Sequence, residues 1–176
     1  MRLWTLTWLG LMLAASSPGV VSAMDVSSSP EADTFQAGDW KGRANFNEQG
    51  DFTDCTVLLP DPAHTTLGFV MTSGNDLGML IADPVLKLEP GRGRPALVHV
   101  EGVDSFAAMA DVVADNGILI PLDGGGPLVR AIGEGQEFRV TVREKEFTLK
   151  RAGTGKALEA LKACVESHRG KSRIDL

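Results

Sequence analysis

A mainly β domain carrying a C-terminal helix is the fold the sequence predicts, α+β in class and an antiparallel β-sandwich or open barrel in architecture. Three observations carry it. Short apolar runs alternate with polar residues at a period of two, as in strands with one buried and one wet face. Turn-forming residues separate these runs at short intervals, so neighbouring strands should pair as local hairpins. One stretch, Thr154 to His168, carries a long apolar stripe at helical spacing.

Residues 1–23 read as a secretory signal peptide. Arg2 gives a positive start, Leu3 to Ala15 is apolar and uncharged, and Val21-Ser22-Ala23 is a small-x-small cleavage site. The apolar run of about a dozen residues falls short of the roughly 20 that span a bilayer. A periplasmic or secreted protein follows, with no integral membrane segment after cleavage. Residues 24–38, rich in Ser, Asp and Ala, are expected to form a flexible leader. Residues 39–169 then form a single globular β-rich domain, and residues 170–176 a polar tail.

Trp40 to Phe46 and Phe52 to Leu59 are the first two expected strands, joined by the turn residues Asn47-Glu48-Gln49-Gly50. Leu67, Phe69 and Met71 alternate with smaller residues, and Ser73-Gly74-Asn75-Asp76 turns the chain into Leu77, Met79 and Ile81. A Gly/Pro/Arg loop from Pro90 to Pro95 precedes Ala96 to Val100. Met109 to Val113 and Ile118 to Leu122 flank Asn116-Gly117, a strong hairpin signal because both residues tolerate positive φ. Phe138, Val140 and Val142 alternate with Arg139, Thr141 and Arg143, and Phe147 with Leu149 repeats the pattern. Roughly eight strands are expected in all. Pro127 to Ile132 should form a short helix after the loop Gly124-Gly125-Gly126. The final helix is expected to be capped by Thr154 and stopped by Gly170, with Ala157, Leu158, Leu161, Cys164, Val165 and His168 on its apolar stripe.

The chain has two cysteines, too few for a disulfide-dense miniprotein or a four-thiolate zinc site. Cys55 shares a strand face with Val57 and Leu59, and Cys164 lies on the helix stripe, so both point inward. In an exported, oxidising setting this predicts a Cys55–Cys164 disulfide. Chain-entropy reasoning gives such a long closed loop about 4–5 kcal/mol.

Charge and motifs exclude more than they select. Lys and Arg number 17 against 23 Asp and Glu, for a net charge of -6, which argues against a general nucleic-acid binder. Gly153-Thr154-Gly155-Lys156 lacks the remaining residues of a phosphate-binding loop and reads as a helix start. No Ser sits in a G-x-S-x-G elbow. His64, His99 and His168 are scattered, without metal-ligand spacing, and His168 suits the negative end of the last helix. Asp51/Asp54 and Asp111/Asp115 are the carboxylate pairs a glycosidase could use, but hairpin ends also favour Asp. No catalytic, cofactor-binding or metal-ligating set is therefore expected, and no cofactor. Phe106 and Met109, flanked by Ala107, Ala108 and Ala110, form an apolar run that is either core strand or a partner-binding patch. Arg92, Arg94, Arg169, Lys171 and Arg173 are basic residues of the loops and tail.

Three segments carry a family resemblance. They are Asp54-Cys55-Thr56-Val57, Leu128-Val129-Arg130-Ala131-Ile132, and the run from Ala157 to Val165 that reads Ala-Leu-x-x-Leu-x-x-Cys-Val. With the signal peptide and the β-hairpin middle, this order resembles small exported bacterial proteins of the invasion-associated locus B group. The resemblance implies an envelope accessory or host-interaction factor rather than a reaction. The expected function is thus an exported non-enzymatic binding or accessory protein of the bacterial cell envelope, with another envelope or host protein as partner. One alternative is a small periplasmic inhibitor of a wall-degrading hydrolase such as lysozyme, whose basic charge an acidic protein would meet. The other is a hydrolase.

Overall fold

Alternation of apolar and polar residues builds nearly all of the molecule. The computed structural model describes residues 33–59, 65–89, 93–123, 126–149 and 152–172. The expected signal peptide, most of the leader, His64, Arg92, Gly124, Gly125 and the last four residues lie outside them.

The described strands are β1 (Thr34–Ala37), β2 (Trp40–Phe46), β3 (Phe52–Leu59), β4 (Thr66–Thr72) and β5 (Leu77–Ala82), then β6 (Arg94–Val100), β7 (Phe106–Ala114) and β8 (Gly117–Pro121). Helix α1 (Gly126–Gly133) follows, then β9 (Phe138–Val142), β10 (Lys145–Leu149) and helix α2 (Thr154–His168). The strands pair antiparallel in the order β1-β2-β3-β4-β5-β8-β7-β6-β9-β10, and the sheet does not close into a barrel. Strand β7 is shared. Phe106 to Ala110 pair with β6, whereas Asp111 to Ala114 run beside β8. The sheet is thereby divided into two leaves, giving a sandwich-like body.

Register carries the apolar residues onto one face. One cross-strand row reads Val57, Phe69, Met79 and Ile120, and the next reads Leu59, Leu67, Ile81, Ile118 and Val112. In the second leaf Val98, Val140 and Phe147 align, as do Val100, Phe138 and Leu149. Trp40, Phe69, Phe138, Met79 and the isoleucines of β5 and β8 are fully buried there. Each such side chain contributes about 1.5–3 kcal/mol by leaving water. Helix α2 lies across β1 to β4 and buries Ala157, Leu161, Cys164 and Val165. Trp40 ties the α2 approach to the sheet, its indole Nε1 donating to the Ala152 carbonyl at 3.2 Å while its ring packs 5.7 Å from Phe69.

The structure corrects several expectations. Residues 34–37 belong to the sheet as edge strand β1 rather than to a flexible leader, and the described strands number ten. The Phe35 ring covers Gly42 of β2, where even a Cβ would lie 2.1 Å from the ring. At the other end Ser172 bridges to Asp51, so the ordered body reaches into the expected tail. Pro95 lies inside β6, paired with Met109, rather than in the preceding loop. Gly126 is already the first residue of α1.

The β7–β8 hairpin is present, but Asn116-Gly117 is not its two-residue turn. Gly117 already pairs with Ala114, a bulge falls between Val112 and Ala114, and neither Asn116 nor Gly117 has positive φ. The bulge takes up the register. The crossover from β5 to β6 fastens the turn from outside, Leu88 N–H donating to the Asp115 carbonyl and Asp83 N–H to that of Asn116. Nor is Thr154 the cap of α2. Gly153 holds that position at φ 77°, and Thr154 is buried as the first helical residue. Gly170 does end the helix, at φ 72°.

Candidate functional site

Strand β3 and helix α2 converge on the disulfide. Cys55 sits opposite Ala44 of β2 and Met71 of β4 on the inner face, and Cys164 comes down from the apolar stripe of α2. Their sulfurs are bonded, with the Cα atoms 6.2 Å apart, inside the usual span for a disulfide. Cys55 is fully buried.

His168 lies one turn beyond Cys164 on the same helix face. Its ring stacks on Phe52 at 5.7 Å and meets the edge of Phe46 at 6.1 Å. Nδ1 is 2.9 Å from the Cys164 carbonyl oxygen, 2.8 Å from Ser167 Oγ and 4.0 Å from Cys164 Sγ. A strict period of two would put Phe52 and Cys55 on opposite faces. The bulge at Asn45/Phe46 absorbs Thr53, pairs Phe46 with Phe52 and turns Phe52 inward beneath the histidine. Sequence reading placed His168 at the helix end but had no signal for these ring partners. A cleft of about 420 Å³ between β1 and α2 opens onto Phe35, Ala160, Ala163, Cys164, Ser167 and His168. The sequence does not mark it, because the four residues of its β1 wall carry too little alternation to stand out.

The run from Phe106 to Ala110 is divided by the pleat. Phe106, Ala108 and Ala110 point inward, where Phe106 is half-buried against the core and Ala110 is buried. Ala107 and Met109 point outward, with Met109 57% exposed. Phe106 and Met109 therefore lie on opposite faces and share no patch. Met109 has another companion. It pairs with Pro95, and beside them Ala107 pairs with Leu97, which is 43% exposed. These four residues form an apolar square on the outer face, with exposed Val113 farther along β7. On β9, Thr141 and Arg139 sit opposite Leu97 and His99, and His99 Nδ1 lies 3.0 Å from Ser105 Oγ.

A second cleft, of about 590 Å³, lies where the crossover segment 85–88 passes the β9–β10 turn. Leu86, Leu88 and Val142 supply a buried apolar floor, with exposed Val85 and the charged Lys87, Arg143, Glu144 and Lys145 around it. Arg143 occupies the turn at φ 56°, a left-handed conformation more usual for glycine.

Of the two carboxylate pairs, Asp51 and Asp54 have polar side-chain partners, and Asp111 and Asp115 occupy strand and turn positions. Asp54 accepts from Asn45 Nδ2 at 2.6 Å and Thr53 Oγ1 at 2.8 Å, and the Asp51 N–H donates to Asn47 Oδ1 at 2.8 Å. Asp111 stands opposite Leu119, and Asp115 forms the β7–β8 turn. Arg94 starts β6 opposite Ala110, and Arg169 Nη2 donates to Asn75 Oδ1. In Gly153-Thr154-Gly155-Lys156 the close contact is internal. A Cβ on Gly155 would sit 2.6 Å from the Gly133 carbonyl oxygen, so this glycine lets the start of α2 pack on the end of α1.

Together these features define an open antiparallel sheet bridged by a helix-to-strand disulfide, with an apolar square on its outer face. The fold, an open antiparallel sheet with a C-terminal helix, is similar to the crystal structure of invasion associated protein B from Bartonella henselae. The TM-score is 0.52 and the identity 18%, over 76% of this chain and 97% of that chain, so the likeness is one of fold. No protein-family model and no curated protein sequence matches the chain.

Proposed function

We propose that the protein is an exported, non-enzymatic binding or accessory protein of the bacterial cell envelope, and that it meets a protein partner through the outer face of β6 and β7. The observation that carries this reading is the outward apolar square of Pro95, Leu97, Ala107 and Met109. Solvent-facing apolar clusters of this kind mark association surfaces. The signal-like segment at 1–23, the disulfide and the fold shared with an invasion associated protein support export and an accessory role. A photo-crosslinking residue at position 109 should give a discrete protein adduct in intact cells. Leu97→Asp should abolish it, and a crosslinker at Thr148 on β10 should give none. No adduct at 109, or the same adduct from 148, would overturn the reading.

The net charge of -6 favours one alternative, inhibition of a basic wall-degrading hydrolase. Loss of lysozyme activity in a turbidity assay would support it, and full activity across several lysozymes would refute it.

A further inference from the structure

We propose that, once the Cys55–Cys164 disulfide is reduced, Cys55, Cys164 and His168 form a binding site for a thiophilic divalent cation of the zinc type. This inference stands on the geometry of the cluster and is independent of the partner-binding reading.

Among the described residues this is the one place where three such groups gather, with one ring nitrogen and both sulfurs within 4.8 Å of one another. In a tetrahedral zinc site, bonds of about 2.3 Å to sulfur and 2.0–2.1 Å to nitrogen put neighbouring ligand atoms roughly 3.4–3.8 Å apart. Nδ1 of His168 already lies 4.0 Å from Cys164 Sγ. Beyond separation of the sulfurs, the ligands therefore need only small shifts. Cys164 and His168 are four residues apart on α2, a spacing that puts two ligands on one helix face, and β3 presents Cys55 from the opposite side.

The surroundings also suit a metal. Cys55 is fully buried, so the ion would be dry on the sheet side, while Cys164 and His168 line the β1–α2 cleft. The cleft gives the ion an access route and leaves a fourth position for water. When Nδ1 turns to the metal it gives up the Cys164 carbonyl, which retains the Ser167 hydroxyl donating at 2.8 Å. Phe52 and Phe46 hold the imidazole plane in place. Two soft thiolates and an imidazole select zinc-like ions over magnesium or calcium.

The chemistry balances. A dithiol reductant delivers two electrons and two protons, the S–S bond breaks, two Cys thiols form, and the dithiol becomes a disulfide. Metal binding then forms two metal–sulfur bonds and releases the two thiol protons.

Cobalt(II) alone is the probe. The full chain, reduced with a phosphine under anaerobic conditions, should bind about one equivalent and show a sulfur-to-cobalt charge-transfer band with tetrahedral visible bands, both displaced by zinc. The oxidised chain and Cys55→Ser should show neither band. Reduced His168→Ala, with its fold followed by near-ultraviolet circular dichroism, should lose the tetrahedral visible bands. A reduced, folded chain without the charge-transfer band would overturn the proposal. So would unchanged spectra in His168→Ala, or loss of the tertiary signal on reduction with no recovery on adding cobalt.

Discussion

At the scale of single residues, close approach decides what can be substituted. Gly155 has the carbonyl of Gly133 where its side chain would be, and neither backbone can retreat without moving a helix. Gly155→Ala should cost about 1–3 kcal/mol as overpacking. Gly126, exposed at the start of α1, has nothing within 4 Å of its missing Cβ. Gly126→Ala should leave stability unchanged or raise it by up to ~1 kcal/mol through helix propensity and a stiffer unfolded chain. Urea midpoints of the two variants test the contrast directly. Asp83 is a second single-residue constraint. It is buried, accepts from Thr65 Oγ1 at 2.5 Å and from the Val85 N–H at 2.9 Å, and so shapes the exit from β5. Asp83→Ala leaves both donors without that carboxylate and should cost about 1–3 kcal/mol, read from the same midpoints.

At the scale of elements, the edge strand and the last helix depend on each other. Strand β1 is only four residues long, and its short ladder with β2 is reinforced by the Phe35 ring over Gly42 and the packing of α2. Phe35→Ala should therefore release β1 alone. Hydrogen exchange would show lost protection in Thr34–Ala37 and retained protection in β4. Equal loss in both strands would contradict this division. Reducing the disulfide acts on a larger unit. Its loop spans 109 residues, and opening it should lower stability by about 2–5 kcal/mol, measured by denaturation with and without reductant.

The same elements show what was legible in the sequence. Strands β2 and β3 and helix α2 lie where periodicity and punctuation placed them, because each has a full apolar face and a clear turn or glycine boundary. Strand β1 escaped notice because four residues in a Ser- and Asp-rich stretch hold too little alternation to register. The disulfide was legible because strand parity and helix spacing each fixed one cysteine. The ring partners of His168 were not, since a bulge reverses parity between Phe52 and Cys55 and a bulge leaves no pattern in composition. Phe106 and Met109 are neighbours in sequence, but an odd separation on a strand puts them on opposite faces.

At the scale of the molecule, the two faces of the sheet have different tasks. The inner face is apolar and holds α2, whereas the outer face is mixed: half-buried Leu58, Leu80 and Leu119 line up across β3, β5 and β8, and strongly exposed Leu97 and Met109 belong to the square on β6 and β7. Leu97→Asp combined with Met109→Asp should thus change stability by less than ~0.5 kcal/mol per site while removing the envelope adduct. A matching loss of stability, seen in the denaturation midpoint, would assign the square to the core. The outer strands of the open sheet are short, and β10 begins with exposed Lys145 and Glu146, charges that discourage edge-to-edge pairing with a second chain.

The covalent bridge also sets how the molecule answers to tension. A pull applied near Asp33 and Ser172 loads β1 to β3 as far as Cys55, crosses the S–S bond to Cys164 and leaves through the last turn of α2. Residues 56–163 carry none of that load, so β4 to β10 and α1 stay slack while the flanking segments peel away. The shielded length is considerable, about 360–390 Å of contour for the 109-residue separation. Oxidised, the domain behaves as a short tether of nearly fixed length. Reduced, it becomes a long extensible one.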